Sequence, residues 1–237
     1  MKTILLLLIS TGLFITLQAQ SIKGAWVNDA SGVSTVRIYT DGFFAVSVYK
    51  ATEFIKTYGG SYKLEKGGIT ETIEFDTEQP ERVGIQVQLK LKPNKTGDAL
   101  ELSKDKEKSS YTRLDNGTPG KLAGAWLITG RFNNGEMRKN TPGARRTMKI
   151  LSGSRFQWIA YNVETKEFFG TGGGTYTTVE GKYIEHIEFF SRDQSRVGMD
   201  LGFEFAIMEE GSWRHSGKSS KGDPIDEIWT QREKLGI

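Results

Sequence analysis

Two stretches of the chain are close to copies of each other. Residues 58–75 read YGGSYKLEKGGITETIEF, and residues 172–189 read GGGTYTTVEGKYIEHIEF. Without a gap, Gly59, Gly60, Tyr62, Gly67, Glu71, Ile73, Glu74 and Phe75 recur as Gly173, Gly174, Tyr176, Gly181, Glu185, Ile187, Glu188 and Phe189. The register continues through Arg82-Val83-Gly84 and Arg196-Val197-Gly198, and upstream Gly24-Ala25-Trp26 returns as Gly124-Ala125-Trp126. The chain is therefore a duplication of a unit of about one hundred residues, too long for a solenoid repeat and suited to a small domain. Whatever fold one copy adopts, the other must be able to adopt.

The pattern inside each copy is alternation. Val83, Ile85, Val87, Leu89 and Leu91 alternate with Gly84, Gln86, Gln88, Lys90 and Lys92; Val197, Met199, Leu201, Phe203, Phe205 and Ile207 repeat the pattern. Successive side chains of a strand point to opposite faces, so each segment has one buried and one wetter face. No helical periodicity follows residue 20, and turn pairs such as Asp41-Gly42 and Glu180-Gly181 punctuate the runs. This predicts an all-β protein with about eight antiparallel strands per copy. An up-and-down barrel closes such a set with no free edge, so two tandem barrels are expected. Their bounds are 21–114 and 122–237, joined by a linker at 115–121. A single sixteen-stranded barrel is disfavoured, because soluble chains rarely close so wide a lumen.

The first twenty residues, MKTILLLLISTGLFITLQAQ, have the lysine, apolar run and small-residue end of a cleaved signal peptide. The run is short for a bilayer span. The chain has no cysteine, so neither a lipidated cysteine nor a disulfide is available. A secreted or periplasmic location is expected, with no membrane span. The formal net charge is +3, and basic residues are interleaved with acidic ones, as in Lys104-Asp105-Lys106-Glu107-Lys108. That is a solvated surface and does not indicate nucleic acid.

The glycine-x-tryptophan pairs, Gly24-Ala25-Trp26 and Gly124-Ala125-Trp126, each open an eight-strand pattern. In this the chain resembles the calycins, the lipocalin-like superfamily, and its secreted bacterial members without assigned activity. The resemblance implies that an arginine late in the last strand packs on the first-strand tryptophan and closes the barrel base. Arg113 would then cover Trp26 and Arg232 would cover Trp126, although Arg113 is two residues past Tyr111 and Arg232 is three past Trp229. It also implies that the segment 130–143, an insertion found only in the second copy, folds across the cavity mouth.

The alternation points Glu71 and Glu185 inward, where a carboxylate must be paired or hydrated. The copies differ toward their ends. Both histidines, His186 and His215, and four of the five tryptophans, Trp126, Trp158, Trp213 and Trp229, lie in the second copy. His186 shares a face with Glu188 and is expected outside. The candidate ligand site is therefore Trp158, Tyr183, Glu185, Trp213 and His215, an aromatic cavity with few polar groups, as small-molecule sites are built. The expected partner is a small apolar or aromatic molecule; a protein partner is undefined. No cofactor and no metal site is expected, and no nucleophile elbow, P-loop or dinucleotide fingerprint is present. Two other readings remain open: an enzyme acting on a lipid or glycan through Glu185 and His215, and a surface protein-interaction module.

Overall fold

The computed structural model describes residues 21–118, 120–133 and 135–237. The expected leader, residues 1–20, lies outside the described residues. Among the described residues no helix is long and apolar enough to cross a membrane.

The first copy forms strands β1 (Gly24–Ala30), β2 (Val33–Tyr39), β3 (Phe43–Lys50), β4 (Glu53–Glu65), β5 (Gly68–Asp76), β6 (Gln86–Pro93), β7 (Ala99–Lys104) and β8 (Glu107–Asp115). Each pairs antiparallel with the next, and β8 pairs back onto β1 to close an eight-stranded barrel. The second copy forms β9 (Gly124–Asn133), β10 (Glu136–Lys139), β11 (Arg145–Leu151), β12 (Arg155–Asn162), β13 (Phe168–Val179), β14 (Lys182–Phe190), β15 (Asp200–Ile207), β16 (Trp213–Lys218) and β17 (Pro224–Gln231). Here β17 closes onto β9, and β10 is an extra strand on the other edge of β9. The chain is thus all-β, two closed eight-stranded antiparallel barrels in tandem, an architecture that is lipocalin-like in general form.

The repeated motifs have local causes. At the twin glycines the ladder between β4 and β5 shifts register, as it does between β13 and β14. A β-carbon on Gly59 would meet the Phe75 ring at 2.6 Å, and one on Gly173 would meet the Phe189 ring at 2.6 Å. Only glycine lets the ring lie against the bent wall. The repeated Arg-Val-Gly is not strand, as the alternation from residue 82 suggested. A turn of 3-10 helix, Pro80–Arg82 or Gln194–Arg196, precedes it, and Gly84 and Gly198 take φ of +91° and +84°, so regular strand starts only at Gln86 and Asp200.

Each barrel has its own core, around Trp26, Phe44 and Tyr62 in the first and Trp126, Phe156 and Tyr183 in the second. A third buried cluster lies between the barrels. Val36, Ile38, Ala45, Tyr49 and Phe75 of the first meet Leu127, Met148, Ile150, Ile159, Tyr161 and Phe189 of the second. The contacts are reciprocal. Tyr49 stacks on Phe189 with centroids 5.0 Å apart and donates to Glu188 at 2.7 Å; Tyr161 lies 4.9 Å from Phe75 and donates to Glu74 at 2.8 Å. Between them Gln157 donates to Thr57 at 2.7 Å and to Thr171 at 3.0 Å, the same position in the two copies. The barrels are therefore related by an approximate two-fold axis through their shared interface. At the end of β8, Asp115 accepts from the hydroxyls of Ser152 and Ser154, both at 2.7 Å, so the connection is docked on the second barrel.

The two arginines named for barrel closure part company. Arg113 lies over Trp26, 4.0 Å from the ring centroid, and donates to the carbonyls of Lys23 and Ser21. Arg232 does not lie over Trp126. Alternation along β17 turns Trp229 and Gln231 inward, so Gln231 faces Trp126 in the ladder and the next residue falls on the outer side. Arg232 there covers Phe43 of the first barrel at 4.0 Å and donates to Glu74 at 2.9 Å. It joins barrels and does not cap one.

Removing Tyr161 tests the weight of this interface. Tyr161→Ala takes a buried ring from Phe75 and a donor from Glu74. It should destabilise the protein by about 3–5 kcal/mol, as large aromatic truncations do. Urea unfolding should show one earlier transition, and an unchanged midpoint would mean that the interface contributes no stability.

Candidate functional site

Both barrels bury a carboxylate at the same place, and each meets it with a cation from the second strand of the closed ladder. In the first barrel Arg37 binds Glu71 at 2.8 Å, and three tyrosines complete the set. Tyr39 donates to Glu71 at 2.8 Å, Arg37 donates to Tyr58 at 2.7 Å and to Tyr39 at 2.7 Å, and Tyr111 lies within 3.3 Å of the guanidinium. Burial pushes the Tyr39 hydroxyl well above its ordinary value. Side chains occupy this level of the first barrel.

The second barrel changes nearly every member. Lys149 replaces Arg37 and binds Glu185 at 2.6 Å; Tyr183 donates to the same oxygen at 2.8 Å. Gly172 stands where the first copy has Tyr58, and Trp158 and Phe190 pack into that position: a β-carbon on Gly172 would meet them at 2.7 and 2.9 Å. Trp213, His215, Glu227 and Trp229 replace Leu100, Leu102, Ser109 and Tyr111 in the paired ladders. The second barrel holds a cavity of about 350 Å³ with Trp158, Phe190, Phe203 and Trp229 on its apolar side; Lys149, Glu185, His215 and Glu227 form its inner polar wall, and Arg131, Arg192, Ser219 and Ser220 line it as well.

Of the residues expected at the site, Trp158, Glu185 and His215 line this cavity. Tyr183 and Trp213 lie behind the wall, fully buried, each ring within 6 Å of His215. His186 is on the outside, paired with Asp200 at 2.8 Å. Sequence reasoning missed Lys149 and left Glu227 out of the ligand site. The Lys149 ammonium is surrounded by the rings of Tyr183, Phe203, Trp213 and Trp229 at 4.9–5.5 Å from their centroids, a desolvated cation–π setting.

Burial and Lys149 together set the state of His215. Burial, and then the neighbouring ammonium, lowers the imidazole to about 4, so it is neutral at pH 7. Lys149 has only protons to offer, so His215 Nε2 accepts at 3.4 Å and the ring proton is on Nδ1. That N–H points toward Glu227, 3.8 Å away, beyond hydrogen-bond reach. Although burial opposes it, His215 and Arg131 hold the Glu227 carboxyl below its ordinary range. Glu185 and His215 do not touch; Lys149 stands between them. Among the described residues no group of three or more His, Asp and Glu side chains is disposed to hold a metal ion. The segment 130–143 is not a loop across the mouth. Much of it forms the hairpin of β9 and β10, which continues the barrel wall upward beside β11.

No family model matches the chain, and no curated protein is similar to it at a significant level.

Two outcomes follow from this charge arrangement. Lys149→Met leaves Glu185 buried without its cation and should cost about 3–5 kcal/mol, whereas adding Glu185→Leu should restore most of the loss. Urea denaturation of the single and double variants measures this, and a double variant no better than the single would refute a paired role. The second outcome concerns pH. His215 has a folded value near 4 against an ordinary 6.5, so between those limits the unfolded chain binds more protons. Its contribution is complete above about pH 6.5 and lost as pH falls toward 4, roughly 3 kcal/mol in all. In His215→Phe that part of the pH dependence should vanish; equal slopes in wild type and variant between pH 7 and 4 would disprove it.

Proposed function

We propose that this is an exported small-molecule-binding protein of the calycin, lipocalin-like kind, with its ligand site in the second barrel and the first barrel as its structural partner. The observation that carries the reading is the cavity itself: about 350 Å³, with Trp158, Phe190, Phe203 and Trp229 and aliphatic side chains on one part of its wall and charged and hydroxyl groups on the rest. That volume is at the lower end of the roughly 300–1,000 Å³ range of small-molecule pockets. Its occupant is a compact apolar or aromatic molecule. The separation of Glu185 from His215 by Lys149 argues for binding over acid–base catalysis, because the two lack the direct contact an acid–base pair would use. Export follows from the leader-like residues 1–20.

A neutral aromatic dye, N-phenyl-1-naphthylamine, tests the reading on the whole protein. It should bind saturably at about micromolar strength, with indole emission quenched, given roughly 25 cal/mol per Å² of apolar surface buried. Ala160→Phe, which places a ring in the cavity, should weaken binding by about tenfold. No saturable binding, or binding indifferent to Ala160→Phe, would overturn the assignment.

A further inference from the structure

The hairpin of β9 and β10 has a consequence for how the second barrel is closed. In the first barrel β1 and β2 pair along their whole length, from Gly24 with Tyr39 to Ala30 with Val33. In the second, β9 pairs with β11 only from Gly124 with Leu151 to Leu127 with Met148. Beyond that point β9 turns to β10 instead, from Gly130 with Lys139 to Asn133 with Glu136. The seam between β9 and β11 is therefore unzipped in its upper half. A cleft of about 650 Å³ fills the gap. Residues from both faces of these strands line it: Ile128 and Thr147 from the inner faces, Leu127 and Arg146 from the outer. This cleft, lined from both faces, occupies the slot between the two strands. Ile128, Arg131 and Thr147 also line the interior cavity, so the two spaces share a wall.

The slot is strongly cationic. Arg131, Arg138, Lys139, Arg145 and Arg146 line it, and no carboxylate does. Arg131 is paired with Glu227 and Arg146 with Glu74. Arg138, Lys139 and Arg145 have no ion-pair partner among the described residues and are exposed. Along β11, alternation places Arg145, Thr147 and Lys149 on one face, a column leading from the slot to the buried ammonium.

A second observation is independent of surface charge. Three buried side-chain atoms among the described residues have no hydrogen-bond partner: Trp213 Nε1, His215 Nδ1 and Trp229 Nε1. All are in the second barrel, and with the His215 proton on Nδ1 all are donors. His215 and Trp229 line the cavity. Buried donors without acceptors cost free energy, and an oxygen acceptor on the body of the occupant could serve the two of these residues, His215 and Trp229, that line the cavity.

We propose that the slot between β9–β10 and β11 is an anion-selecting entrance to the second barrel, and that the ligand is an amphiphilic acid with an apolar or aromatic body inside and an anionic head held by Arg138, Lys139 and Arg145. This rests on the cavity reading above and narrows it to a ligand class.

A matched pair of dyes separates the two statements. N-phenyl-1-naphthylamine is neutral, and 1-anilinonaphthalene-8-sulfonate is the same skeleton with an anionic head. The whole protein should bind the sulfonate more tightly. The double variant Arg138→Glu, Lys139→Glu, altered only at exposed side chains, should weaken the sulfonate by about fivefold or more and leave the neutral dye within twofold. Arg145→Gln should act in the same direction, and raising salt to roughly 0.5 M should weaken the sulfonate alone. Ala160→Phe should weaken both dyes. Equal binding of the two dyes that ignores charge reversal overturns the entrance while leaving the cavity reading intact. Sulfonate binding that ignores Ala160→Phe shows an anion held on the surface only and also overturns it. Failure of both dyes to bind overturns the cavity reading and this proposal with it.

Discussion

The outer walls of both barrels are apolar where an isolated barrel would be wet, and much of the structure follows from that. β2 and β11 carry Val36, Ile38, Met148 and Ile150 outward, and only the other barrel covers them. Burial on both sides of a wall is unusual for a small barrel, whose strands normally alternate apolar and polar faces. Polar groups caught in the seam must then be partnered inside it. Glu74 is met by Tyr161, Arg146 and Arg232, and Glu188 by Tyr49 and Arg155. The covered wall also makes the second strand of each barrel a stable support for the interior cation that projects from its other face.

From that shared support the two interiors diverge. Arg37 with three tyrosines makes a filled, mutually bonded plug in the first barrel. Lys149 has a smaller head with one point of charge and no fork, so it cannot hold the same set of hydroxyls. The second barrel surrounds it with rings instead, and Trp158 and Phe190 pack over Gly172. A plug and a cavity are thus alternative solutions to one problem, the burial of a carboxylate on the fifth strand of the closed ladder.

Much of this could be read from residues alone. The duplication and the period-two pattern give both barrels, and several strands, such as 43–50 and 68–76, fall where alternation puts them. The inward Glu71 and Glu185 and the outward His186 follow from the same counting. The interior cations did not. In VSTVRIY and RRTMKIL the pairs Val36 with Ile38 and Met148 with Ile150 lie opposite Arg37 and Lys149, and that pattern reads as a charged outer face until the second barrel is known to cover the apolar one. Arg232 was assigned to Trp126 by analogy, and one extra residue of spacing moved it to the other side of the sheet. The hairpin had a signal, Asn134-Gly135 within the insertion, which is the commonest two-residue turn chemistry. Gly172 was visible only as part of a glycine run; the packing of Trp158 and Phe190 over it belongs to the folded wall.

Gln157, set between Thr57 and Thr171, lies where the approximate axis passes. Its counterpart in the first copy is Ala45, so the seam has one amide and one methyl where a dimer of identical chains would need two of the same. Two amides facing each other across such an axis would compete for one space; an amide and a methyl share it. Joining the copies in one polypeptide makes that inequality heritable. A change in one half no longer appears twice, so one barrel can keep its filled interior as ballast while the other gives up packing to become hollow.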